Sequence, residues 1–197
     1  RNHMGLTGAQ AAERVLHGAG IYDVRIERVA GNLTDHYDPR NKVLRLSDAT
    51  YGQCSVAAVG VAAHECGHAI QHARGYAPLQ FRSALVPVAN FGSMIAWPLI
   101  VLGLFINSQS SAMIINIGIL AFSLAVLFQL VTLPVEYNAS GRAVRILAET
   151  GMMQGEEIVA TKKVLNAAAL TYVASAAAAI LQLVRILILT GGRRRDD

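Results

Sequence analysis

The pattern of apolar and polar positions predicts a short mixed α/β region at the start of the chain. Thr7 and Gln10 have the spacing of a capping box, which predicts a short helix after Thr7. Apolar and charged residues alternate over residues 21–29, and residues 43–46 form a second apolar run, so both segments predict strands. Residues 38–41 (Asp-Pro-Arg-Asn) predict a turn before the second strand.

Small residues dominate positions 55–63 and lead into residues 64–73, which together predict a buried helix ending near Gly75. A window of 53 residues, 83–135, then contains no Asp, Glu, Lys, Arg or His. About 20 apolar residues cross a bilayer, so this window is long enough for two spans. Polar residues 107–111 divide it into residues 84–105 and 113–133, which predicts a transmembrane helical hairpin ended by Pro134.

Charge returns after the hairpin. Residues 136–163 predict one or two amphipathic helices broken at Gly151 and Gly155, and residues 164–189 form a third apolar stretch. That stretch either spans the bilayer or packs partly on the soluble region. The sequence therefore divides into residues 1–82, 83–135, 136–163, 164–192 and a charged tail, 193–197.

Composition narrows the class of protein. Apolar residues make up 53% of the chain and charged residues only 15%, which excludes a disordered protein and disfavours a soluble monomer. The net charge of +4 forms no basic stripe, so we expect no nucleic-acid partner. Cys54 and Cys66 are expected to be unpaired, and the start at Arg1 suggests an upstream segment.

Residues 64–68 read His-Glu-Cys-Gly-His, an H-E-x-x-H motif. On a helix His64 and His68 lie on one face, so both can reach one Zn²⁺ at about 2.0–2.1 Å. Glu65 is rotated by about 100° from His64, which suits a general base beside the metal. A metal-free surface helix is the alternative, but burial of these groups without a partner would be costly.

Glu136, the first charged residue after the window, is the predicted third ligand. Two antiparallel spans return the chain to the membrane face that it left, whereas one span would separate Glu136 from the motif by about 30 Å. Alternatively, Glu136 is only an acidic residue at the point where the chain leaves the bilayer. His72 lies about 12 Å from His64 along a straight helix, so we expect it either to support a ligand by a hydrogen bond or to have a structural role, and not to bind the metal. Ser140, one turn after Glu136, is a candidate hydrogen-bond partner of a ligand.

The motif, the apolar hairpin and residues 136–140 (Glu-Tyr-Asn-Ala-Ser) together resemble the gluzincin pattern of membrane peptidases such as HtpX and the CAAX prenyl proteases. Residues 33–39 and 61–71 make the chain still more similar to the YugP-type membrane zinc metallopeptidases of bacteria. The resemblance implies an integral membrane protein with one further N-terminal span and a third ligand at Glu136. An aspartate usually stands in those families where this chain has Ser140.

Other residues carry weaker functional predictions. His36 and Tyr37 lie in the predicted turn region and either stabilise an oxyanion or close the turn. Tyr137 is a further candidate for contact with the substrate. Residues 43–46 form either an edge strand that pairs with substrate or an ordinary strand, and Cys66 is expected to be a small buried residue.

Basic residues predict the sidedness of the hairpin. The ends on the side of the metal site carry all the positive charge near the spans, and the tip carries none, which places the site in the cytoplasm. The residues are Arg74, Arg82, Arg142, Arg145, Lys162 and Lys163. Arg193–Arg195 argue against this orientation if the third apolar stretch crosses completely.

The sequence thus predicts a mainly α membrane protein of the bacterial plasma membrane, with a small α+β zincin-like part and a hairpin inserted between the H-E-x-x-H helix and the third-ligand helix. Its predicted activity is that of a zinc metalloendopeptidase acting on membrane or membrane-proximal proteins or peptides. A zinc-binding, non-proteolytic membrane scaffold is the alternative. The lipid bilayer is one expected partner, and a second copy or a partner membrane complex is another.

Overall fold

The computed structural model describes residues 1–106 and 110–191 and is mainly helical, with one small sheet. Its elements are α1 (Gly8–Gly18), β1 (Arg25–Val29), β2 (His36–Asp38), β3 (Val43–Ser47), α2 (Asp48–Tyr51), α3 (Val56–Ala73), α4 (Ala77–Phe105), α5 (Ser111–Glu149) and α6 (Glu156–Gly191). The chain divides into two units, described separately below. The first comprises Arg1–Leu79 and Val135–Leu170, and the second comprises Gln80–Pro134 and Thr171–Asp197.

The predicted capping box is confirmed at the start of α1. The Thr7 side chain accepts a hydrogen bond from the Gln10 amide, and the Gln10 side chain accepts one from the Thr7 amide. Val15 and Leu16 on the inner face of this helix are almost completely buried. The amphipathic pattern of the segment therefore fixes both its start and its buried face.

The sheet of the first unit has the order β1-β3-β2. β1 pairs in parallel with β3, and β2 pairs antiparallel with it. Of the two alternatives for residues 43–46, the ordinary sheet strand is confirmed and the edge strand is wrong, because β3 lies between two neighbours. Leu44 and Leu46 on β3 are fully buried, as expected for a central strand.

The turn predicted at residues 38–41 connects β2 to β3. The Asp38 carboxylate accepts hydrogen bonds from the Asn41 side chain and from the Arg40 and Asn41 amides. The bonds from Asn41, then those from Arg45 and Arg40, lower the pKa of Asp38 to about 2. His36 and Tyr37 were expected within the turn region, but they lie on β2.

The helix predicted from residues 55–73 is confirmed as α3, and Ser55 caps it by accepting a hydrogen bond from the Ala58 amide. Its small residues permit close contact with two other helices of the first unit. A Cβ added at Gly67 would lie 2.6 Å from the Ala139 carbonyl oxygen of α5, and one at Gly60 would lie 2.9 Å from Thr161 of α6. The small-residue run is therefore a packing surface.

The prediction that Pro134 ends the second apolar helix is wrong. α5 continues through Pro134 to Glu149, and the next break comes at residues 150–155, close to the predicted Gly151 and Gly155. Proline removes one amide donor and crowds the preceding turn. That local cost is outweighed by the long apolar helix before Pro134 and by the buried packing after it. The buried residues after Pro134 include Ala139, Ala143 and Leu147.

In the second unit, α4 and α5 pack closely through glycines. An added Cβ at Gly92 would meet the Ala121 carbonyl oxygen, and one at Gly118 would meet Ile100. The contacting positions rise along α4 as they fall along α5, so the two helices are antiparallel. Glycines at such crossings let helix backbones approach one another.

Three helices, α4, α5 and α6, are long and apolar enough to cross a membrane. Many of their large apolar side chains are exposed, among them Met94, Leu120 and Ile188. Such extensive apolar exposure is unusual for a soluble monomer and typical of a lipid-facing surface. The tip residues 107–109 and the tail residues 193–197, with Arg193–Arg195, lie outside the described residues.

The α3–α5 contact can be tested with matched glycine substitutions. We expect Gly67→Ala to destabilise the protein by about 1–3 kcal/mol, because the new methyl group would force two backbones apart. Gly141→Ala, on α5 in open space, should be neutral or stabilising by up to about 1 kcal/mol. Thermal unfolding followed by circular dichroism in detergent compares them, and equal midpoints would contradict the close contact.

Candidate metal centre

Two histidines of α3 face the same side of the helix. His64 and His68 are one turn apart, their ring centroids lie 4.8 Å apart, and the rings meet edge to face. Both side chains are largely buried, with 15% and 12% of their surface exposed. The helical spacing therefore brings two imidazoles together as the motif predicted.

Glu136 reaches the same point from α5. Its Oε2 atom lies 3.2 Å from Nε2 of His64 and 3.5 Å from Nε2 of His68, and the residue is almost completely buried. The predicted proximity of Glu136 to the motif is confirmed. An isolated carboxylate at this depth would be costly, so its position requires cationic partners or a metal ion.

The other ring nitrogen of each histidine also has a partner. Nδ1 of His64 lies 3.0 Å from the Ser140 hydroxyl, and Nδ1 of His68 lies 3.0 Å from Oε1 of Gln71. Both Nε2 atoms are thereby turned towards Glu136. This is the arrangement in which a hydrogen bond at one ring nitrogen orients the other towards a metal ion.

The donor set fits zinc. Nitrogen and carboxylate oxygen ligands about 2.0–2.2 Å from a tetrahedral ion lie roughly 3.3 Å from each other. The two measured Nε2–Oε2 distances are 3.2 and 3.5 Å, and one ligand atom from each of His64, His68 and Glu136 lies within 4.8 Å of the others. Two histidines and one glutamate are also a known catalytic zinc set that leaves a position open.

The acidic residues around His68 change the pKa of its imidazole. Burial alone would lower the pKa of His68, but its hydrogen bond to the Glu136 carboxylate and the charges of Glu65 and Glu136 outweigh burial and raise it. The two carboxylates thus favour positive charge at this position.

Glu65 and Cys66 are adjacent in the motif but differ in environment. Glu65 is partly buried, and its carboxylate makes no hydrogen bond or ion pair with any residue that the structure describes. Cys66 is completely buried against the Ala12 carbonyl, and burial, with the nearby charge of Glu65, raises the pKa of its thiol. Cys66 thus has the buried, inert character expected, and it is not paired with Cys54.

The weaker site candidates lie outside the cluster. His72 is exposed, and its Nδ1 lies 2.9 Å from the Tyr37 hydroxyl on β2. Burial, followed by the charges of Asp23 and Asp38, raises the pKa of Tyr37 to about 12. His36 interacts with the Thr34 carbonyl. Tyr137 points into solvent with 47% of its surface exposed.

Gln71 was missed by the sequence interpretation. It follows His68 by three positions, so helical spacing alone indicated that the two side chains are neighbours. Its partners on α5, Val135 and Asn138, are 64 and 67 positions away and no local signal pointed to them.

Comparison with known proteins identifies the class. The family described as "Putative neutral zinc metallopeptidase" matches residues 1–191, and the chain belongs to this family. A Bacillus subtilis (strain 168) relative, "Putative membrane protease YugP", is 48% identical over 190 residues, which cover 96% of this chain and 83% of the relative. No solved structure matches the chain significantly. Zinc is thus the metal of the family, in agreement with the donor set.

Substitution of single ligands tests the centre. Zinc content after dialysis should fall by more than about tenfold in His64→Ala, His68→Ala and Glu136→Gln, since even the loss of a ligand's partner costs about 10–100-fold in affinity. His72→Ala, on the same helix but outside the cluster, is the matched control and should retain zinc. Elemental analysis gives the content, and loss of zinc in the control alone would contradict the assigned ligands.

Proposed function

We propose that this protein is a membrane-integrated zinc endopeptidase that hydrolyses peptide bonds of membrane or membrane-proximal proteins. The observation that carries the proposal is the buried convergence of His64, His68 and Glu136, next in sequence to Glu65, which has no ion-pair partner among the residues that the structure describes. Family membership supports zinc and peptidase chemistry, and the three apolar helices support a membrane location.

His64, His68 and Glu136 are the residues that would hold the metal. When bound, zinc supplies Lewis acidity, which polarises a scissile carbonyl and acidifies water. Ser140 and the Gln71 amide orient the two imidazoles through their Nδ1 atoms. Burial of Glu136 keeps its carboxylate in place and shields it from solvent.

Glu65 is the proposed general base. Its carboxylate accepts a proton from the attacking water and delivers it to the nitrogen of the leaving amine. A carboxylate engaged in an ion pair would be a weaker base, and Glu65 has no such partner among the described residues. The neighbouring Cys66 is too deeply buried to compete as a nucleophile.

The chain itself links the centre to the membrane. Glu136 follows the charge-free window by one residue, so the ligand belongs to the same helix as an apolar segment long enough to cross a bilayer. An insert of two spans returns the chain to the face that it left. Substrates that reach such a site belong to membrane proteins or to segments near the bilayer surface.

Glu65→Gln tests the mechanism. The amide cannot accept the proton, so turnover of an internally quenched peptide library by the full chain in detergent should fall by about 10²–10⁴-fold. Zinc content should stay unchanged, because Glu65 is outside the ligand set. Glu149→Gln, an exposed acid-to-amide change at the end of α5, is the matched control. Undiminished turnover in the zinc-loaded Glu65→Gln protein would contradict the assignment of Glu65 as the general base.

The orientation has an independent test. We place the metal centre on the cytoplasmic face, because the basic residues flank that end of the hairpin. In a Cys54→Ser background, Ser110→Cys should react with a membrane-impermeant maleimide added to spheroplasts. Lys163→Cys should react only after the membrane is permeabilised. Both positions are exposed, so the reverse labelling pattern would contradict the proposed sidedness.

A further inference from the structure

Strand β1 has one edge without a neighbouring strand. β3 lies between β1 and β2, so β1 is paired along one edge only. The Arg25 amide donates to the Lys42 carbonyl at 3.0 Å, which turns the main-chain groups of Arg25 towards β3. Because these groups alternate in direction along a strand, those of Ile26 and Arg28 point to the open edge. Two amides and two carbonyls are therefore available to an added strand.

A groove of about 400 Å³ lies between β1 and α1. Both apolar and polar side chains line it, among them Leu16, Val24, Ile26, Glu13, His17 and Tyr51. These residues belong to α1, to α2 or to β1 and the residue before it, so the metal centre supplies none of them. The Ile26 side chain lines the groove, so side chains of an added strand on the same face of the sheet would also point into it.

Glu13 gives the groove an unpaired negative charge. It is the only Asp, Glu, Lys or Arg among the lining residues, and its carboxylate has no hydrogen-bond or ion-pair partner in the described part of the chain. The arginines of β1 are already paired. Arg25 lies 3.8 Å from Glu27, and Arg28 lies 2.6 Å from Asp48. A free carboxylate beside apolar side chains suits a lysine or arginine, whose apolar stem ends in a cation.

We propose that the open edge of β1 and the adjoining groove bind an extended peptide segment that carries a basic side chain. The segment adds to β1 as a fourth strand through main-chain hydrogen bonds, and its basic side chain lies in the groove beside Glu13. The site uses no residue of the metal centre. It therefore goes beyond the proposed function and does not depend on it.

Peptide binding to the full chain in detergent tests the site. The probe is a fluorescein-labelled hexapeptide, Val-Thr-Lys-Thr-Val-Thr, which presents valine and lysine on one face of a strand and threonine on the other. A chelator first removes zinc, so that the metal centre cannot cleave the probe. Fluorescence anisotropy should give a Kd below about 1 mM. Glutamate in place of the lysine should weaken binding by about fivefold or more, and norleucine should give an intermediate Kd.

N-methylated probes test the addition of a strand. Methyl groups on the amides along one edge of the hexapeptide should abolish binding, whereas methyl groups along the other edge should leave it unchanged, because only one edge faces β1. Equal binding of the two methylated probes would overturn the proposal. This comparison uses the unaltered protein, so it does not depend on the folding of any variant.

Substitutions in the chain locate the bound peptide. Arg28→Pro removes an amide at the open edge and none that pairs with β3, so it should weaken binding by about fivefold. Arg28→Ala loses the same side chain but keeps the amide, and as the matched control it should bind like wild type. Glu13→Gln should remove most of the preference for lysine over norleucine.

Three results would overturn the proposal. The first is a wild-type protein that does not bind the lysine probe at about 1 mM. The second is binding that neither Arg28→Pro nor Glu13→Gln changes. The third is a dimer, seen by analytical ultracentrifugation, that Arg28→Pro dissociates, because the open edge would then belong to a second copy of the chain.

Discussion

The structure of the first unit depends on the close contact between α3 and α5 at Gly67. The absence of a side chain there lets the α3 backbone reach the Ala139 carbonyl, and this approach brings Glu136 within 3.5 Å of both histidines. A wider separation would leave a buried carboxylate without partners, which is costly. The packing of α3 against α5 and the assembly of the polar centre therefore depend on each other. The glycine between the two histidines serves packing, while its neighbours supply the chemistry.

The polar groups that α5 contributes to the centre lie on two adjacent faces of that helix. Glu136 and Ser140 occupy one face of α5 and contact the histidines. Val135 and Asn138 occupy the adjacent face and accept hydrogen bonds from Gln71, and Arg142 donates to Asn138. Spacings of three and four residues produce both faces. A rotation of α5 would disturb ligand and supporting partners together. The same helix thus supplies one proposed metal ligand and the groups that orient another.

The sequence predicted the parts of this structure that depend on local spacing. The capping box of α1, the helix bearing the H-E-x-x-H motif and the apolar helices all follow from short-range periodicity. The position of Glu136 followed from an argument about spans rather than from its neighbours. The central place of β3 did not follow, because strand order depends on tertiary pairing, and β2 has only three residues. The continuation of α5 past Pro134 depends on packing that outweighs one lost hydrogen bond.

The order of the ligands along the chain also determines when the centre can exist. A protein is synthesised from its N-terminus, so His64 and His68 leave the ribosome long before Glu136. The whole charge-free window of 53 residues is made in between. A nascent chain that has not yet completed both apolar segments therefore has only two of the three proposed ligands. Biosynthesis therefore completes the proposed ligand set only after both apolar segments have been made.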